Sequence, residues 1–336
     1  MQGKARVTDH IRWGILGAAG FARKTMAPAL NEARRARLVA LATRDPARAA
    51  PFAAIAPGLR VHDSYDALLA DPEIDAVYIP LPNALHVDWS IRAAQAGKAA
   101  LCEKPIGLHA SDFDRLIAAR EKTGKLIAEA WMPAHHPQWA AVRDLIAAGR
   151  LGALHSVTGA FTYGLADPGN IRLSADLAGG ALRDVGVYPI GAFRFATGLE
   201  PEVIWADAIM ENGVDTSAWV QARAGDIRFS FHVSMRTTRY QSMVFEGSHG
   251  RLSVMAPFNP GQYGQADLIL AIEGQPQRTI SFPDARQYAL QVEAVAATLL
   301  DGAAFPYPLE AARGTQAAID AVFATLDEKG VGYGPQ

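Results

Sequence analysis

The sequence predicts an α/β protein with two sheets: a doubly wound parallel sheet in the N-terminal half, and a large, mostly antiparallel open sheet in a C-terminal α+β half. Up to residue 130, short apolar runs alternate with helical stretches, which is typical of parallel strands buried on both faces. Beyond residue 130 strands dominate, and residues 227–235 alternate apolar and polar side chains, as a strand with one buried face does. We therefore expect one domain over residues 1–130 and a second over residues 131–336.

In the first half, strands and helices follow each other in turn. The predicted strands are residues 11–16, 38–42, 74–79, 99–101 and 126–130, and the predicted helices are residues 21–31, 45–56 and 84–96. Asp45 and Pro46 begin the second helix as an N-cap followed by a first-turn proline, and Gly97 ends the third. This alternation predicts a parallel, doubly wound sheet.

The turn after the first strand is a candidate dinucleotide site. It consists of Gly17, Ala18, Ala19, Gly20, Phe21 and Ala22. The dinucleotide fingerprint has glycine at its first, third and sixth positions, and only the first is glycine here; alanine at the third moves the backbone slightly away from a pyrophosphate. An ordinary strand-to-helix turn is the alternative. The position of the turn favours nucleotide binding, because the amides that begin the first helix suit a phosphate.

The end of the second strand bears on the choice of cofactor. Sites for NAD usually have an acidic side chain there, whereas a hydroxyl and an arginine accommodate the 2′-phosphate of NADP. Thr43 and Arg44 occupy these positions, and Asp45 comes one residue later, where it caps the next helix. We therefore predict NADP, with NAD possible because an arginine can also stack on adenine.

The second half begins with a helix over residues 139–148 and continues mainly as strands. We predict strands at residues 215–223, 227–235, 239–246 and 251–255, followed by helices at residues 287–300 and 309–326. The strand at 227–235 and the residue after it carry a polar face, which we expect to be either solvated or a wet subunit interface. Its members are Arg228, Ser230, His232, Ser234 and Arg236.

Composition excludes several classes of partner. The net charge of -2 and the scattered basic residues give no support for binding to nucleic acid or to an anionic membrane surface. A single cysteine, Cys102, favours a reducing compartment, and the first ten residues carry no apolar signal sequence, so we predict a cytoplasmic protein. The adjacent His135 and His136 lack nearby cysteines or spaced carboxylates, so we expect them to pack and hydrogen-bond rather than to hold a metal.

Two distant segments carry the candidate chemistry. Lys104 follows a predicted strand of the first half within Cys102-Glu103-Lys104-Pro105. Residues 179–189 open a helix of the second half, with Asp184 and Tyr188 one turn apart on one face. A lysine, a carboxylate and a phenol beside a nicotinamide are the groups that oxidation of an alcohol or a hemiacetal requires. The sequence therefore predicts an oxidoreductase.

Several segments together resemble the glucose-fructose oxidoreductase, inositol dehydrogenase and MocA (Gfo/Idh/MocA) family. They are GILGAAGFARK at 14–24, residues 78–83 with His86, Glu103-Lys104-Pro105, residues 129–132 with His136-Pro137, Asn170-Ile171-Arg172, and GGALRDVGVYP at 179–189. The branch that is most similar contains NADP-dependent xylose dehydrogenase and dihydrodiol dehydrogenase, because it combines an alanine-substituted glycine turn with Asn-Ile-Arg and a tyrosine in the last motif. The resemblance implies a Rossmann domain followed by an open-sheet α+β domain.

The resemblance also implies roles for individual residues. Lys104 would stand beside the nicotinamide and the substrate hydroxyl, Tyr188 would exchange the proton, and Asp184 would orient the substrate or Tyr188. A neighbouring ammonium would favour the phenolate of Tyr188, whose free pKa is about 10. The Lys104-Pro105 bond is expected to be cis. Further cofactor contacts would be Pro80, Leu81, Asn83, His86, Glu103 and Lys104, and further substrate contacts Trp131, Tyr163, Asn170 and Arg172.

The implied reaction is hydride transfer between a nicotinamide cofactor and a sugar or cyclic polyol, such as oxidation of a pyranose to its lactone or reduction of a keto-sugar. Relatives often carry an aromatic residue and an arginine where this chain has Pro133 and Ala134, so a standard aldose is not assumed. One alternative is an enzyme whose tightly held cofactor is reduced and reoxidised within each turnover, as in glycosidase-like or epimerase-like reactions. Another is a non-catalytic nucleotide-binding protein. The resemblance further implies a homodimer or homotetramer formed through the C-terminal sheet.

Overall fold

The computed structural model of the protein describes residues 9–330. The predicted domain limits at residues 1 and 336, and most of the N-terminal segment considered for a signal sequence, lie outside this range. Within residues 9–330, no helix is both long and apolar enough to span a bilayer.

The first half contains a six-stranded parallel sheet. Its strands are β1 (Ile11–Leu16), β2 (Ala36–Ala42), β3 (Arg60–His62), β4 (Ala76–Ile79), β5 (Ala99–Cys102) and β6 (Ile127–Glu129). They lie in the order β3-β2-β1-β4-β5-β6, and the order reverses between β1 and β4. This is the Rossmann order, in which ligands bind at the carboxyl ends of the strands where the direction reverses. The parallel, doubly wound sheet that the sequence predicts is therefore present.

Helices connect these strands. They are α1 (Ala27–Glu32), α2 (Pro46–Ala53), α3 (Tyr65–Ala70), α4 (His86–Gln95) and α5 (Asp112–Thr123). A π-helical turn over Ala22–Met26 precedes α1, and a 3-10 turn over Asn83–Leu85 precedes α4. The carboxylate of Asp45 accepts a hydrogen bond of 2.9 Å from the amide of Ala47, so the predicted N-cap of α2 is confirmed.

The second half contains an eight-stranded sheet. Its strands are β7 (Leu154–Gly164), β8 (Glu202–Glu211), β9 (Val214–Ala224), β10 (Ile227–Ser234), β11 (Arg236–Gly247), β12 (Gly250–Val254), β13 (Asp267–Ile272) and β14 (Arg278–Ser281). Their order is β14-β13-β12-β11-β7-β10-β9-β8. The pair β7 and β10 is parallel and the other neighbours are antiparallel, in agreement with the mostly antiparallel sheet that the sequence predicts.

The predicted polar face of β10 is only partly solvated. Ser234 is buried, and its hydroxyl lies 2.7 Å from that of Ser217 on β9. Arg236, just beyond β10, forms an ion pair of 2.7 Å with Glu211. The expectation of a continuous solvated or wet face is therefore wrong at Ser234, which is buried against β9, whereas Arg236 is exposed.

Four further helices belong to the second half. They are α6 (Pro137–Ala147), α7 (Val187–Thr197), α8 (Gln287–Asp301) and α9 (Leu309–Glu328), and a π-helical turn over Leu182–Gly186 precedes α7. One face of α7 packs on β7, while α8 packs on α1 and β2 of the first half.

The last helix, α9, lies against β8 and also against α5 of the first half. The amide of Ala110 donates to the carboxylate of Asp320 at 2.7 Å, and the side-chain amide of Gln316 donates to the carbonyl of Leu108 at 2.8 Å. Arg120 on α5 pairs with Glu310 on α9 at 2.7 Å. The C-terminal helix thus holds the two halves together, and the division at residues 130 and 131 stays a prediction.

Candidate active site

A cavity of about 820 Å³ lies between the two halves, at the carboxyl ends of β1, β4 and β5. On one side it is lined by the turn after β1, by the residues after β4 and by Glu103 and Lys104 after β5. On the other side it is lined by β7, by residues 167–188 and by the C-terminal segment around Asn259 and Tyr288. It is therefore the place where groups from the two halves meet.

The carboxylate of Asp184 is the centre of a hydrogen-bonded cluster in this cavity. The ammonium of Lys104 donates to Asp184 Oδ1 at 3.0 Å and to the Asp184 carbonyl at 2.5 Å. The hydroxyl of Tyr163 donates to Oδ2 at 2.6 Å, and Arg172 Nε lies 2.8 Å from the same oxygen. Burial alone would raise the pKa of Asp184, but the Arg172 and Lys104 cations and the Tyr163 hydroxyl hold it well below its usual range. Asp184 is thus a fixed negative charge between two cations.

Tyr188 lies beside this cluster without bonding to Asp184. The ammonium of Lys104 is 5.1 Å from the centre of the Tyr188 ring, and the Tyr188 hydroxyl lies 3.7 Å from the sulfur of Met132. The ring packs on Phe161 and Phe258, with centroid distances of 5.1 and 5.3 Å. Its phenol is held in place by aromatic packing, and its weak thioether contact leaves the hydroxyl available to a ligand.

This arrangement favours the protonated phenol of Tyr188 over the phenolate that we expected from the sequence. Burial, followed by the charges of Glu103 and Asp184, raises the pKa of Tyr188 well above that of a free phenol. The Lys104 ammonium does not reverse this effect, because it is bonded to Asp184. The expected lowering is therefore wrong for the protein as it stands, and Tyr188 is a protonated phenol at neutral pH.

Three buried groups hold the segment that carries Lys104. The Lys104-Pro105 bond is cis, as the family resemblance implies. Tyr78 donates a hydrogen bond to the carboxylate of Glu103, and the amide of Ile106 donates to Glu129 Oε2 at 2.9 Å. The ring nitrogens of His86 lie 2.7 Å from the carbonyl oxygens of Leu81 and Pro105. His86 therefore connects the ends of β4 and β5.

A second cavity of about 450 Å³ lies on the other side of the glycine turn. Gly17 and Ala18 line this second cavity, whereas Ala19, Gly20 and Phe21 line the first. Gly17 has a φ of 100°, which favours glycine, and a Cβ built on Gly20 would meet no atom within 4 Å. A turn with open space on both sides fits an extended dinucleotide that passes over it.

The second cavity also contains the residues that bear on cofactor choice. Thr43 and Arg44 line it as the sequence predicts, and Arg48 joins them from α2. Arg48 donates to the carbonyl of Ala18 at 2.8 Å. The hydroxyl and the two guanidinium groups form a donor set that suits a phosphate ester. Arg48 was not predicted, because it lies inside a helix and outside the fingerprint.

Comparison with known proteins agrees with this geometry. Residues 11–130 match the model described as an oxidoreductase family with an NAD-binding Rossmann fold, and residues 139–253 match the GFO/IDH/MocA C-terminal domain. The chain belongs to the GFO/IDH/MocA oxidoreductase family. This membership confirms the predicted family, the predicted oxidoreductase and the predicted nicotinamide-binding domain.

Individual relatives of this GFO/IDH/MocA oxidoreductase act on sugars. The chain is 35% identical over 320 residues to the NADP-dependent D-xylose 1-dehydrogenase 2 of Haloferax volcanii, covering 94% of this chain and 97% of the relative. It is 36% identical over 270 residues to a dTDP-3,4-didehydro-2,6-dideoxy-alpha-D-glucose 3-reductase of Saccharopolyspora spinosa, covering 79% and 80%. The crystal structure of KijD10, a 3-ketoreductase from Actinomadura kijaniata in complex with NADP and TDP-benzene, superposes with a TM-score of 0.88 at 31% identity, covering 94% and 98%.

Two residues predicted as ligand contacts of the GFO/IDH/MocA oxidoreductase lie elsewhere. Trp131, expected to contact the substrate, is fully buried, and its ring stacks on Tyr307 with a centroid distance of 4.7 Å. Ala22, expected in the cofactor site, is fully buried in the π-helical turn before α1. Neither lines the two cavities described above, so both positions are corrected to packing residues. The other predicted contacts line one or other cavity, and their roles stay predictions.

Sequence reasoning missed one wall of the first cavity. Met132 and Phe161 lie beside Tyr188, and a C-terminal group completes the wall. Its members are Arg239, Asn259, Gln262 and Tyr288. The edge of the Tyr288 ring meets Phe21 of the glycine turn at a centroid distance of 5.7 Å, so this wall reaches the cofactor side. The motifs that carry the family resemblance end at residue 189, and no local motif marks these later positions.

The two adjacent histidines belong to the packing around this site. His135 lies 5.2 Å from the ring of Phe305, and burial lowers its pKa to about 3. The Nδ1 of His136 accepts a hydrogen bond of 3.1 Å from the amide of Gln138, and burial lowers its pKa to about 4. Both rings are neutral at pH 7. Across the described part of the chain, no group of three or more possible metal ligands converges.

The raised pKa of the buried Glu129 carboxyl should make the stability of the protein depend on pH. Burial raises its pKa from 4.5 to about 7, so between these values the unfolded chain releases a proton that the folded chain keeps. The free energy of unfolding should therefore fall as pH rises from about 4.5 to about 7, by about 3 kcal/mol. Glu129→Gln, which can still accept from Ile106, should lack this component. Urea unfolding of both proteins across this range measures it, and parallel curves for the two proteins would contradict it.

Proposed function

We propose that this chain is an NADP-dependent oxidoreductase that transfers a hydride between the nicotinamide and a carbon of a sugar or cyclic polyol. The observation that carries the proposal is the convergence of Lys104, Asp184 and Tyr188 in a cavity that opens onto the glycine turn. The NADP-dependent xylose dehydrogenase, the sugar 3-reductase and the KijD10 complex with NADP support the cofactor and the substrate class.

Each residue of the cluster has a separate role in the proposed reaction. When bound, the nicotinamide accepts or supplies the hydride. Tyr188 exchanges the proton of the substrate hydroxyl, and the Lys104 ammonium stabilises negative charge on the substrate oxygen. Asp184 holds Lys104 in position through a hydrogen bond of 3.0 Å. Tyr163 and Arg172 occupy the other carboxylate oxygen, so that Asp184 cannot rotate away from Lys104. Asn170 lies two residues before Arg172 and contributes polar groups to the same wall.

The protonated state of Tyr188 suits the role of proton donor in the reduction of a keto-sugar. In the reductive direction a phenol donates its proton to the developing alkoxide, which is the form that burial stabilises here. In the oxidative direction the phenol must first lose its proton. Initial rates over a pH series test this role: the oxidative rate should rise with pH as Tyr188 loses its proton, and the pH dependence should change in Tyr188→Phe.

A panel of aldoses, keto-sugars and polyols, followed by the absorbance of reduced nicotinamide, tests the proposed function. Turnover with at least one member and with NADP or NADPH is the expected result. Purified protein carrying nucleotide that does not dialyse away would instead favour an enzyme that reoxidises its cofactor within each turnover. Binding of NADP without turnover of any member would favour a non-catalytic protein.

The preference for NADP should depend on Arg44. Replacing Arg44 by aspartate removes a phosphate donor and adds a repelling charge, so we expect the KM for NADPH to rise about tenfold or more. The KM for NADH should stay within about threefold, because NADH has no 2′-phosphate to lose contact with. Steady-state kinetics with both cofactors measure this change.

Arg150→Asp, an exposed arginine beyond α6, provides the matched control. It adds the same charge change away from both cavities. An equal loss of NADPH affinity in both variants would contradict a specific role for Arg44.

The outer face of the eight-stranded sheet supports a homodimer as part of the proposal. Large apolar side chains are exposed on that face, among them Ile209, which is 52% exposed, and Trp219, which is 39% exposed. Trp219 pairs with Asp207 of β8, so Trp205 and Ile209 share its face. A second copy would cover this surface. Size-exclusion chromatography should give a particle of about twice 35.9 kDa or larger. A cytoplasmic location stays a prediction from the single cysteine.

A further inference from the structure

Arg239 differs from the other cations of the first cavity. Lys104 and Arg172 share the carboxylate of Asp184. Arg236, three residues before Arg239, is paired with Glu211. Among residues 9–330, no carboxylate lies within ion-pair distance of Arg239, whose guanidinium faces the ring of Tyr263 at 5.9 Å. An arginine with an unneutralised charge therefore lines the substrate side of the cavity.

An irregularity of the sheet puts Arg239 there. Arg236 of β11 pairs with Gly164 of β7, and Tyr240 pairs with Thr162, so residues 237–239 lie opposite the single residue Tyr163. The hydroxyl of Thr162 donates to the carbonyl of Thr238 at 2.6 Å and fixes this bulge. Bulges redirect side chains and are frequent beside active sites. Arg239 thus lies at the same level of the sheet as Tyr163, whose hydroxyl is bonded to Asp184.

The wall around Arg239 is also fixed. Gln241 is buried and makes two hydrogen bonds to Asn259: its side-chain amide donates to Asn259 Oδ1 at 2.8 Å, and its carbonyl oxygen accepts from the Asn259 amide at 3.1 Å. These bonds hold the loop that brings Asn259 and Gln262 to the cavity. The group consists of neutral hydrogen-bonding side chains around one cation. Asp167, on the opposite wall, accepts from the Gly169 amide at 3.0 Å.

We propose that Arg239 forms an anion subsite at the outer end of the cavity, so that the substrate is a sugar carrying a phosphate or a carboxylate group. This inference rests on the proposed function and specifies its substrate class. A guanidinium binds two oxygens of such a group at once, and here no bond to another protein group has to be broken first. The neutral Asn259 and Gln262 side chains would bind hydroxyls between the anionic group and the reacting carbon.

Matched substrates test the proposal. The probes are glucose, glucose 6-phosphate, glucuronate and a nucleoside-diphosphate glucose, together with their keto forms for the reductive direction. We expect kcat/KM to be at least about tenfold higher for one anionic member than for the neutral sugar. The member that gives this gain distinguishes a phosphate ester, a carboxylate and a diphosphate as the source of the charge.

The variant Arg239→Gln should lower kcat/KM for that anionic sugar about 10- to 100-fold through KM, and leave the neutral sugar within about twofold. Arg239→Lys should retain part of the effect on a phosphate. Arg278→Gln removes an exposed charge on the edge strand β14 of the same sheet, three strands away from β11, and should change the kcat/KM of neither substrate. Equal effects of Arg239→Gln on charged and neutral sugars would overturn the subsite.

Two further measurements distinguish a failure of the proposed subsite from a failure of the proposed function. If Arg239→Gln raises the dissociation constant of NADPH and leaves the KM of every sugar unchanged, Arg239 belongs to the cofactor and the proposal is wrong. If no sugar is turned over, the proposed function fails. The subsite is then tested by calorimetric titration of glucose 6-phosphate and glucuronate into the NADP-loaded protein. Binding to the wild type but not to Arg239→Gln would support the subsite. Absence of binding to the wild type would overturn it.

Discussion

Replacing Lys104 by methionine is expected to lower kcat about 1000-fold. The ammonium is the cation bonded to Asp184 that also faces the Tyr188 ring, so its loss removes the stabilising charge from the substrate oxygen. Methionine keeps most of the side-chain volume, and Arg172 and Tyr163 still satisfy one oxygen of Asp184. The effect should therefore fall on turnover more than on folding. Steady-state rates with saturating NADPH and substrate measure it.

Lys122→Met provides the control, because Lys122 is an exposed lysine on α5. Its kcat should equal that of the wild type. Thermal unfolding of both variants shows whether the Lys104 variant is folded at the assay temperature. A folded Lys104→Met protein with wild-type turnover would exclude Lys104 from the chemistry.

Replacing Tyr188 by phenylalanine is expected to lower kcat about 100- to 1000-fold, with little change in the KM of the sugar. The ring would still pack on Phe161 and Phe258, so the substitution removes only the hydroxyl. Water would then have to supply or accept the proton. The pH dependence of kcat should also change, because the group whose pKa burial raises is no longer present.

Tyr240→Phe, an exposed tyrosine on the outer face of the same sheet, should leave kcat unchanged. Tyr163→Phe provides a sharper comparison. It removes one hydrogen bond to Asp184 and should cost less than about tenfold, since Arg172 still holds the same carboxylate oxygen. If Tyr163→Phe has the larger effect, the proton passes through Tyr163 and the assignment of Tyr188 is wrong.

The parts of the fold that follow from local patterns were predictable. The strands β1, β2, β4, β5 and β6 are apolar runs, and β10 alternates regularly, so their patterns stand out from the surrounding chain. The strand β3 was missed because it consists of three residues at the sheet edge with two exposed side chains. The helix α5 was missed because only Phe113 and Leu116 are buried in its twelve residues, too few to form a clear apolar stripe.

The candidate site was predictable where a motif carries it. Lys104, Asp184 and Tyr188 could be assigned to one cavity from their segments, and Thr43 and Arg44 from the end of a strand. The hydrogen bonds among them were not predictable. Whether Tyr163 or Tyr188 bonds to Asp184 depends on how β7 lies against the helical turn before α7. In the structure the bond is made by Tyr163. The position of Arg239 at the cavity depends on a bulge in which three residues of β11 lie opposite one residue of β7. Bulges of this kind leave no clear mark in a single sequence.

The contacts of α9 with the first half limit which segments of this enzyme can be exchanged for those of its relatives. Asp320, Gln316 and Glu310 belong to the last helix, yet their partners lie in the first 120 residues. A chimaera joined near residue 130 would therefore pair a foreign helix with the native α5 and would lose these bonds unless both sides of that contact came from one parent. Gene shuffling aimed at new sugars should keep residues 108–120 and 309–328 from the same source and exchange only the segment between them.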